Sequence, residues 1–428
     1  MSSSPPLALR DLSIVTRSGH VDGPLDVCLR DGRIEDVGRH LSISDGATEI
    51  DMAGVFALPG VIDCHTHLTL STLDLSTNLR RSDTTRALEA AHAARRTLHA
   101  GVTYARDAGG ADAGLRDGIA HGLVPGPGLQ VSIVMVSRTG GHADGHLAGL
   151  EIELGPDGRV APRGGPSHLV DSVDDMRRVA RQILRAGGDW IKLCATGGIG
   201  SDHDDPLAPE LSADELRTAV AEAAIRGRRV MVHAYGGEGL DNALEADVAS
   251  VEHGTLLTER QARRMAEQGT FLVPTMSVLE RDARLARAGD VPPHIQAKTL
   301  AVEPHLRDVL GVAHAAGVSI ALGSDAVDRS LHGRNLTEIA ALRRGGLPAH
   351  DCLRAATIEG ARLLGVDHER GAIEPGMAAD LVLLDEDPSD GLLFDRDDVV
   401  TGVLQGGRTI VAHARFSCTP AATDQRAS

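Results

Sequence analysis

FALPGVIDCHTHL, residues 56–68, runs apolar almost without a break and then delivers His65 and His67. Such a run suits a strand buried on both faces, as in a parallel sheet covered by helices. Seven more runs follow: VTYARDAGG from Val102, LQVSIVMVSRTGGH from Leu129, WIKLCATGG from Trp190, VMVHAYG from Val230, SVEHGT from Ser250, FLVPTMSV from Phe271 and SIALGSDA from Ser319. Helical patterns lie between them. Thr84–Gly101 ends on a glycine stop, Asp171–Gly188 begins with acids and ends on Arg185 and a glycine pair, and Leu211–Gly227 opens with the capping-box pattern of Ser212 and Glu215. Eight strands alternating with helices over about 270 residues predict an α/β fold, a (β/α)8 TIM barrel. An open doubly wound sheet would place a glycine-rich phosphate turn after its first strand, and the sequence has none there.

Both ends of the chain read differently. Residues 7–55 and 372–415 look like short strands joined by turns. The expectation is one composite β-sandwich domain built from residues 1–58 and 372–428, beside a catalytic barrel of residues 59–371. Three segments, 143–170, 199–211 and 279–300, are long for barrel loops. Loops on the C-terminal face shape a barrel's pocket, so these are expected to cover the substrate.

The bulk composition excludes several classes. At 42% hydrophobic but 2% aromatic, the 428-residue chain must fill its core with aliphatic side chains. A net charge of −17 argues against nucleic acid or an anionic membrane surface as partner and leaves a small-molecule substrate. Five cysteines without a CxxC pair form no disulfide framework and suit a reducing compartment. The start MSSSPPLALRD lacks a basic region followed by an apolar one, and no run reaches membrane-spanning length. A cytoplasmic location is the expectation.

His65 and His67, two apart on a strand, face the same way and can reach one ion. Alone, that pair says little. His233, His253 and Asp325 change the odds, because they fall at the ends of other predicted strands, and those ends converge at one mouth of a barrel. Imidazole and carboxylate together suit zinc and its neighbours. Lys192 raises a second question. The chain holds 41 arginines and two lysines, Lys192 and Lys298, and Lys192 lies inside an apolar strand. A buried amine is costly and tends to lose its proton. Either it is salt-bridged inside the barrel, for instance to Asp325, or it has reacted with carbon dioxide to give a carbamate able to bridge two cations.

These residues closely resemble the amidohydrolase superfamily. The pattern appears as PGVIDCHTH (Pro59–His67), as GSDA around Asp325, and as a C-terminal signature from Ala355 to Pro388. IKLCATGG, VHAYG, VEHGT, RTGGHADG and HGRNLTEI resemble its prolidase-like branch, which holds enzymes of the Xaa-Pro dipeptidase and ochratoxinase type. The resemblance implies two divalent ions, zinc foremost. His65, His67 and Asp325 would hold one, His233 and His253 the other, with carboxylated Lys192 between them. It implies hydrolysis of an amide, in dipeptides or N-acyl amino acids, by a metal-bridging hydroxide, with Asp325 moving the proton. Tyr235 is expected to bind the substrate carbonyl or carboxylate or to pack the mouth, His142 to polarise the carbonyl or hold substrate, and Arg138 to bind a substrate carboxylate or to form an ion pair at the barrel rim. His203 and His332 lie in mouth loops within reach of substrate. Relatives of this kind are often homo-oligomers. The alternatives are a cyclic-amide hydrolase or deaminase of the same superfamily, similar to imidazolonepropionase, and a non-catalytic binding or scaffold protein.

Overall fold

The computed structural model describes residues 6–42, 46–146, 153–155, 158, 159, 165, 167–201 and 204–418. Five strands open the chain: β1 (Leu7–Val15), β2 (Val21–Arg30), β3 (Arg33–Gly38), β4 (Thr48–Asp51) and β5 (Phe56–Pro59). Eight more follow: β6 (Val61–Thr66), β7 (Val102–Asp107), β8 (Gly128–Val131), β9 (Met135–Val136), β10 (Trp190–Cys194), β11 (Arg229–Gly236), β12 (Ser250–Leu256) and β13 (Phe271–Val273). The last three are β14 (Leu381–Leu384), β15 (Val400–Gln405) and β16 (Arg408–Val411).

The middle strands pair in parallel and in chain order, β6-β7-β8 and then β9-β10-β11-β12-β13. The run from Leu129, read as one strand, is two. Ile133 sits between them at φ 69, a position that a β-branched residue rarely takes. β8 pairs with β7, and β9 with β10. At the other join, Leu272 bridges Ile320 and Thr66 bridges Ala326, both in parallel, so residues 320–326 lie between β13 and β6. The result is a TIM-barrel-like α/β arrangement, with helices such as Asp83–His99 and Val173–Arg185 between the strands. Ser82 and Ser172 cap those two helices, and the Ser212–Glu215 capping box is present on Ala213–Ala224.

The opening run 56–68 divides at Gly60. β5 belongs to the sheet made by the two chain ends, and β6 begins the parallel set. A side chain at Gly60 would collide with Thr103 Oγ1 at 2.1 Å and Asp380 Cβ at 2.8 Å, so the crossing between the two sheets needs glycine. The terminal strands hydrogen-bond as one eight-stranded sheet, β16-β15-β14-β5-β1-β2-β3 with β4 on β1, which mixes both ends of the chain. Segment 279–300, expected as a loop, is helical over Met276–Ala288 and Pro293–Val302. Met276, Leu279, Ala283 and Ala286 recur at helical spacing and are buried, an amphipathic stripe that the loop reading overlooked. Much of 143–170 lies outside the described residues. Among the described residues, no helix is long and apolar enough to cross a membrane.

Candidate metal centre

At the C-terminal end of the parallel strands the imidazoles gather. His65 Nε2 and His67 Nε2 each lie 3.4 Å from Asp325 Oδ1. The ring centroids of His65 and His253 are 5.4 Å apart, and those of His233 and His253 are 4.6 Å apart. Ligand atoms of His65, His253 and Asp325 lie within 4.8 Å of one another, so these three could hold a metal ion.

The ring orientations are set from behind. His67 Nδ1–H donates to the Gly109 carbonyl at 2.9 Å, which leaves Nε2 with its lone pair. His233 Nε2–H donates to the Gly197 carbonyl at 3.1 Å, which leaves Nδ1 free. His65 Nδ1 meets Glu252 Oε2 at 2.7 Å, and His253 Nδ1 meets Thr275 Oγ1 at 2.7 Å. Such outer contacts orient metal-binding histidines and raise their basicity. Burial lowers the basicity of all four rings and pushes His67 down to about 4, so each is a neutral donor. His253 (φ 71), Thr275 (φ 50) and Asp325 (φ 48) take left-handed backbone conformations, each costing on the order of 1–3 kcal/mol in a non-glycine residue.

Lys192 lies on β10 with 1% of its surface exposed, and Nζ has no hydrogen-bond partner among the described residues. The salt bridge to Asp325 that the sequence left open is not formed. Burial lowers its basicity, and a charge on it would bear on His65, His67, His233, His253 and Asp325 alike. Burial likewise pushes the Asp325 carboxyl up to about 7 and keeps the Cys194 thiol protonated.

His142 stacks on His233 at 4.2 Å and 15°, with Nδ1 3.1 Å from Ser201 Oγ. Its backbone N–H donates to Glu210 Oε1 at 2.5 Å. Tyr235 is buried parallel to His253, and burial holds its hydroxyl protonated. Arg138 is exposed on the wall of a cleft of about 740 Å³ that Glu210 and Glu238 also line. His332 is buried, and its Nε2–H donates to the His67 carbonyl at 3.1 Å, which places the ring behind a candidate ligand. His203 lies outside the described residues.

Two residues escaped the sequence reading. Glu252 is fully buried, and besides His65 it meets Arg106 Nη2 at 2.8 Å; Arg106 is itself fully buried against the Trp190 ring. The left-handed turn at His253 lets two neighbours, Glu252 and His253, both reach the interior, where plain strand alternation would send one outward. A carboxylate and a guanidinium inside two apolar runs were the available signal.

Residues 56–410 match the amidohydrolase family. Ochratoxinase of Aspergillus niger is 30% identical over 362 residues, which cover 82% of this chain and 75% of that protein. A prolidase solved in complex with N-methylphosphonate-L-proline overlays with a TM-score of 0.87 at 31% identity, covering 94% of this chain and 99% of that one. A Xaa-Pro dipeptidase with methionine bound in its active site overlays with a TM-score of 0.84 at 27% identity and the same coverage. A match running from β5 into β16, together with relatives overlaid along nearly their whole length, means that the chain belongs to the amidohydrolase superfamily, in its prolidase-like branch.

Proposed function

We propose that this chain is a binuclear metal hydrolase that cleaves an amide bond in dipeptides or N-acyl amino acids. The parallel strands are taken as a closed (β/α)8 barrel, and the terminal strands as the β-sandwich beside it. One observation carries the reading: Lys192 Nζ is buried, without a hydrogen-bond partner among the described residues, amid four imidazoles and a carboxylate. A neutral amine there is a nucleophile for carbon dioxide, and the carbamate supplies the anionic oxygens that the neutral donors lack. With that group in place, His65, His67 and Asp325 fit one divalent ion, and His233 and His253 fit a second. Zinc suits this donor set best.

When bound, the ions supply an activated water and polarise the scissile carbonyl. The side chains do the rest. Asp325, whose carboxylate lies 3.4 Å from both His65 Nε2 and His67 Nε2, would take a proton from the water and return it to the leaving amine. His142 and Tyr235, both beside His233, donate to the substrate carbonyl or carboxylate. The relatives solved with a proline phosphonate and with methionine in the active site support a substrate of peptide type.

Metal analysis and turnover test this together. The metal-replete chain is expected to hold two ions and to hydrolyse members of a panel of dipeptides and N-acyl amino acids. Lys192→Ala is expected to lose one ion and to lose activity by more than the ~10²–10³-fold that follows removal of a single oxyanion donor. One ion in the native chain, with Lys192→Ala still active, would sink the binuclear mechanism and favour the cyclic-amide reading.

A further inference from the structure

The other lysine of the chain acts at the same centre from outside. Lys298 lies on the helix Pro293–Val302, after β13, yet its ammonium meets the segment that follows β10. Nζ donates to the Gly198 carbonyl at 3.0 Å, to the Ser201 carbonyl at 2.8 Å and to Asp204 Oδ1 at 2.7 Å. All three donors are used, and Asp204 is 4% exposed. Asp204 in turn accepts from the Gly198 N–H at 2.7 Å and from Ser201 Oγ, and its Oδ2 lies 3.4 Å from His142 Nδ1. Burial would raise the Asp204 carboxyl, but His142, Lys298 and Ser201 outweigh it and hold the group well below the usual carboxylate range.

The segment so held does two things at the metal centre. The Gly197 carbonyl fixes the tautomer of His233, and Gly198 packs on the His142 ring. A Cβ at Gly198 would lie 2.2 Å from His142 Cε1, so glycine there leaves room for the ring that stacks on His233. Without Lys298, the Gly198 and Ser201 carbonyls lose their shared donor and Asp204 loses its counter-charge.

We propose that Lys298, through Asp204, is a positioning residue that pins the Gly197 carbonyl and the His142 ring, and so sets the ligand orientation of His233 and the donor that faces the substrate. The role of His233 and His142 in this inference rests on the amide-hydrolase reading. Lys298 touches neither metal nor substrate in this arrangement, and the same link explains why a chain that otherwise uses arginine has a compact ammonium here. Three rotatable donors can satisfy two carbonyls and one carboxylate oxygen at once, a task that a planar guanidinium fits poorly.

The test uses Lys298→Met and Lys298→Arg in the full chain. In the metal-free protein, amide hydrogen exchange at residues 197–201 is expected to quicken in Lys298→Met, while the helix Asp83–His99 exchanges as in the native chain. Cobalt(II) affinity, read from the visible spectrum, is expected to fall by roughly 10- to 100-fold. On a turned-over dipeptide, kcat is expected to fall by a similar factor with KM little changed, and Lys298→Arg to recover part of it. Unchanged exchange in Lys298→Met overturns the pin. Faster exchange with native cobalt affinity reduces Lys298 to a brace for the segment and equally overturns the proposal. If the native chain turns over nothing in the panel, the proposed reaction fails, while exchange and cobalt binding still decide the role of Lys298.

Discussion

Beneath the terminal sheet, Leu9, Leu12, Val27, Ile34, Leu381 and Leu404 are almost wholly buried in an aliphatic cluster. The interior of the parallel set is as closed to water, but it buries Asp63, His65, Arg106, Lys192, Glu252 and His253. The two regions also differ in how their charges are met. Asp26, the buried acid of β2, accepts from Arg10 Nη1 at 2.7 Å and from the backbone N–H groups of Asp11 and Leu41. Lys192 Nζ has no hydrogen-bond partner among the described residues. A buried charge with all its contacts made is a structural element, whereas an orphan of that size among neutral imidazoles leaves room for a ligand. The terminal core is an assembly of volumes, and the interior of the parallel set an assembly of donors.

The largest effect is expected where the interior of the parallel set does behave structurally. Arg106 and Glu252 are both fully buried and paired at 2.8 Å, so Arg106→Met leaves a carboxylate without its counter-charge. Removing one partner of such a pair costs about 3–5 kcal/mol, which urea denaturation of the metal-free chain would read. A cost under about 1 kcal/mol would show that the interior tolerates loose charges, and the orphaned Lys192 would lose its meaning. In the terminal core, Leu383 is fully buried on β14. Leu383→Ala is expected to cost about 2–5 kcal/mol and leave metal content unchanged. A variant that sheds metal would mean that the two regions are not separable.

Glu252 sharpens the contrast from the other side. Its two oxygens divide between Arg106 and His65 Nδ1, so the same residue serves stability and ligand orientation. Glu252→Gln keeps the volume and weakens the hold on His65. Metal affinity is expected to drop by roughly 10- to 100-fold, measured by competition with a chelator. Unaltered affinity would make Glu252 a partner of Arg106 alone.

This division also governs what could be read without coordinates. Strand runs and helix caps are local, so the parallel set, the capping box at Ser212 and the strand character of both chain ends followed from spacing, while the ends, read as a β-sandwich, hydrogen-bond as one eight-stranded sheet. The residues the structure gathers at the centre were legible because histidines and a lysine are out of place in apolar strands. What stayed hidden depends on backbone direction and on distant contacts. The positive φ of His253 turns Glu252 inward, and no alternation rule shows that. The break at Ile133 splits a continuous apolar run, and the helical stripe from Met276 passed for a loop. Lys298 meets Asp204 across 94 positions, and Arg106 meets Glu252 across 146, pairings that only the fold creates.

The smallest effect expected is a pH response confined to the terminal sheet. Burial pushes the Asp26 carboxyl up, but the N–H groups of Asp11 and Leu41 and the Arg10 guanidinium outweigh it and hold the group below its ordinary 3.8. A carboxyl whose folded value is depressed contributes stability above its unfolded value and loses it as pH falls through the folded one. Asp26→Asn removes that contribution at neutral pH. The stability gap between the native chain and the variant should therefore be widest at pH 7 and narrow progressively below 3.8. Urea midpoints of the metal-free proteins at pH 7, 4 and 3, settings chosen to bracket that range, would follow it roughly. Asp107, on β7 of the parallel set, moves the opposite way, with burial raising it to about 7 despite three backbone N–H contacts. A gap that widens in acid would place Asp26 with Asp107 and erase the electrostatic difference between the two.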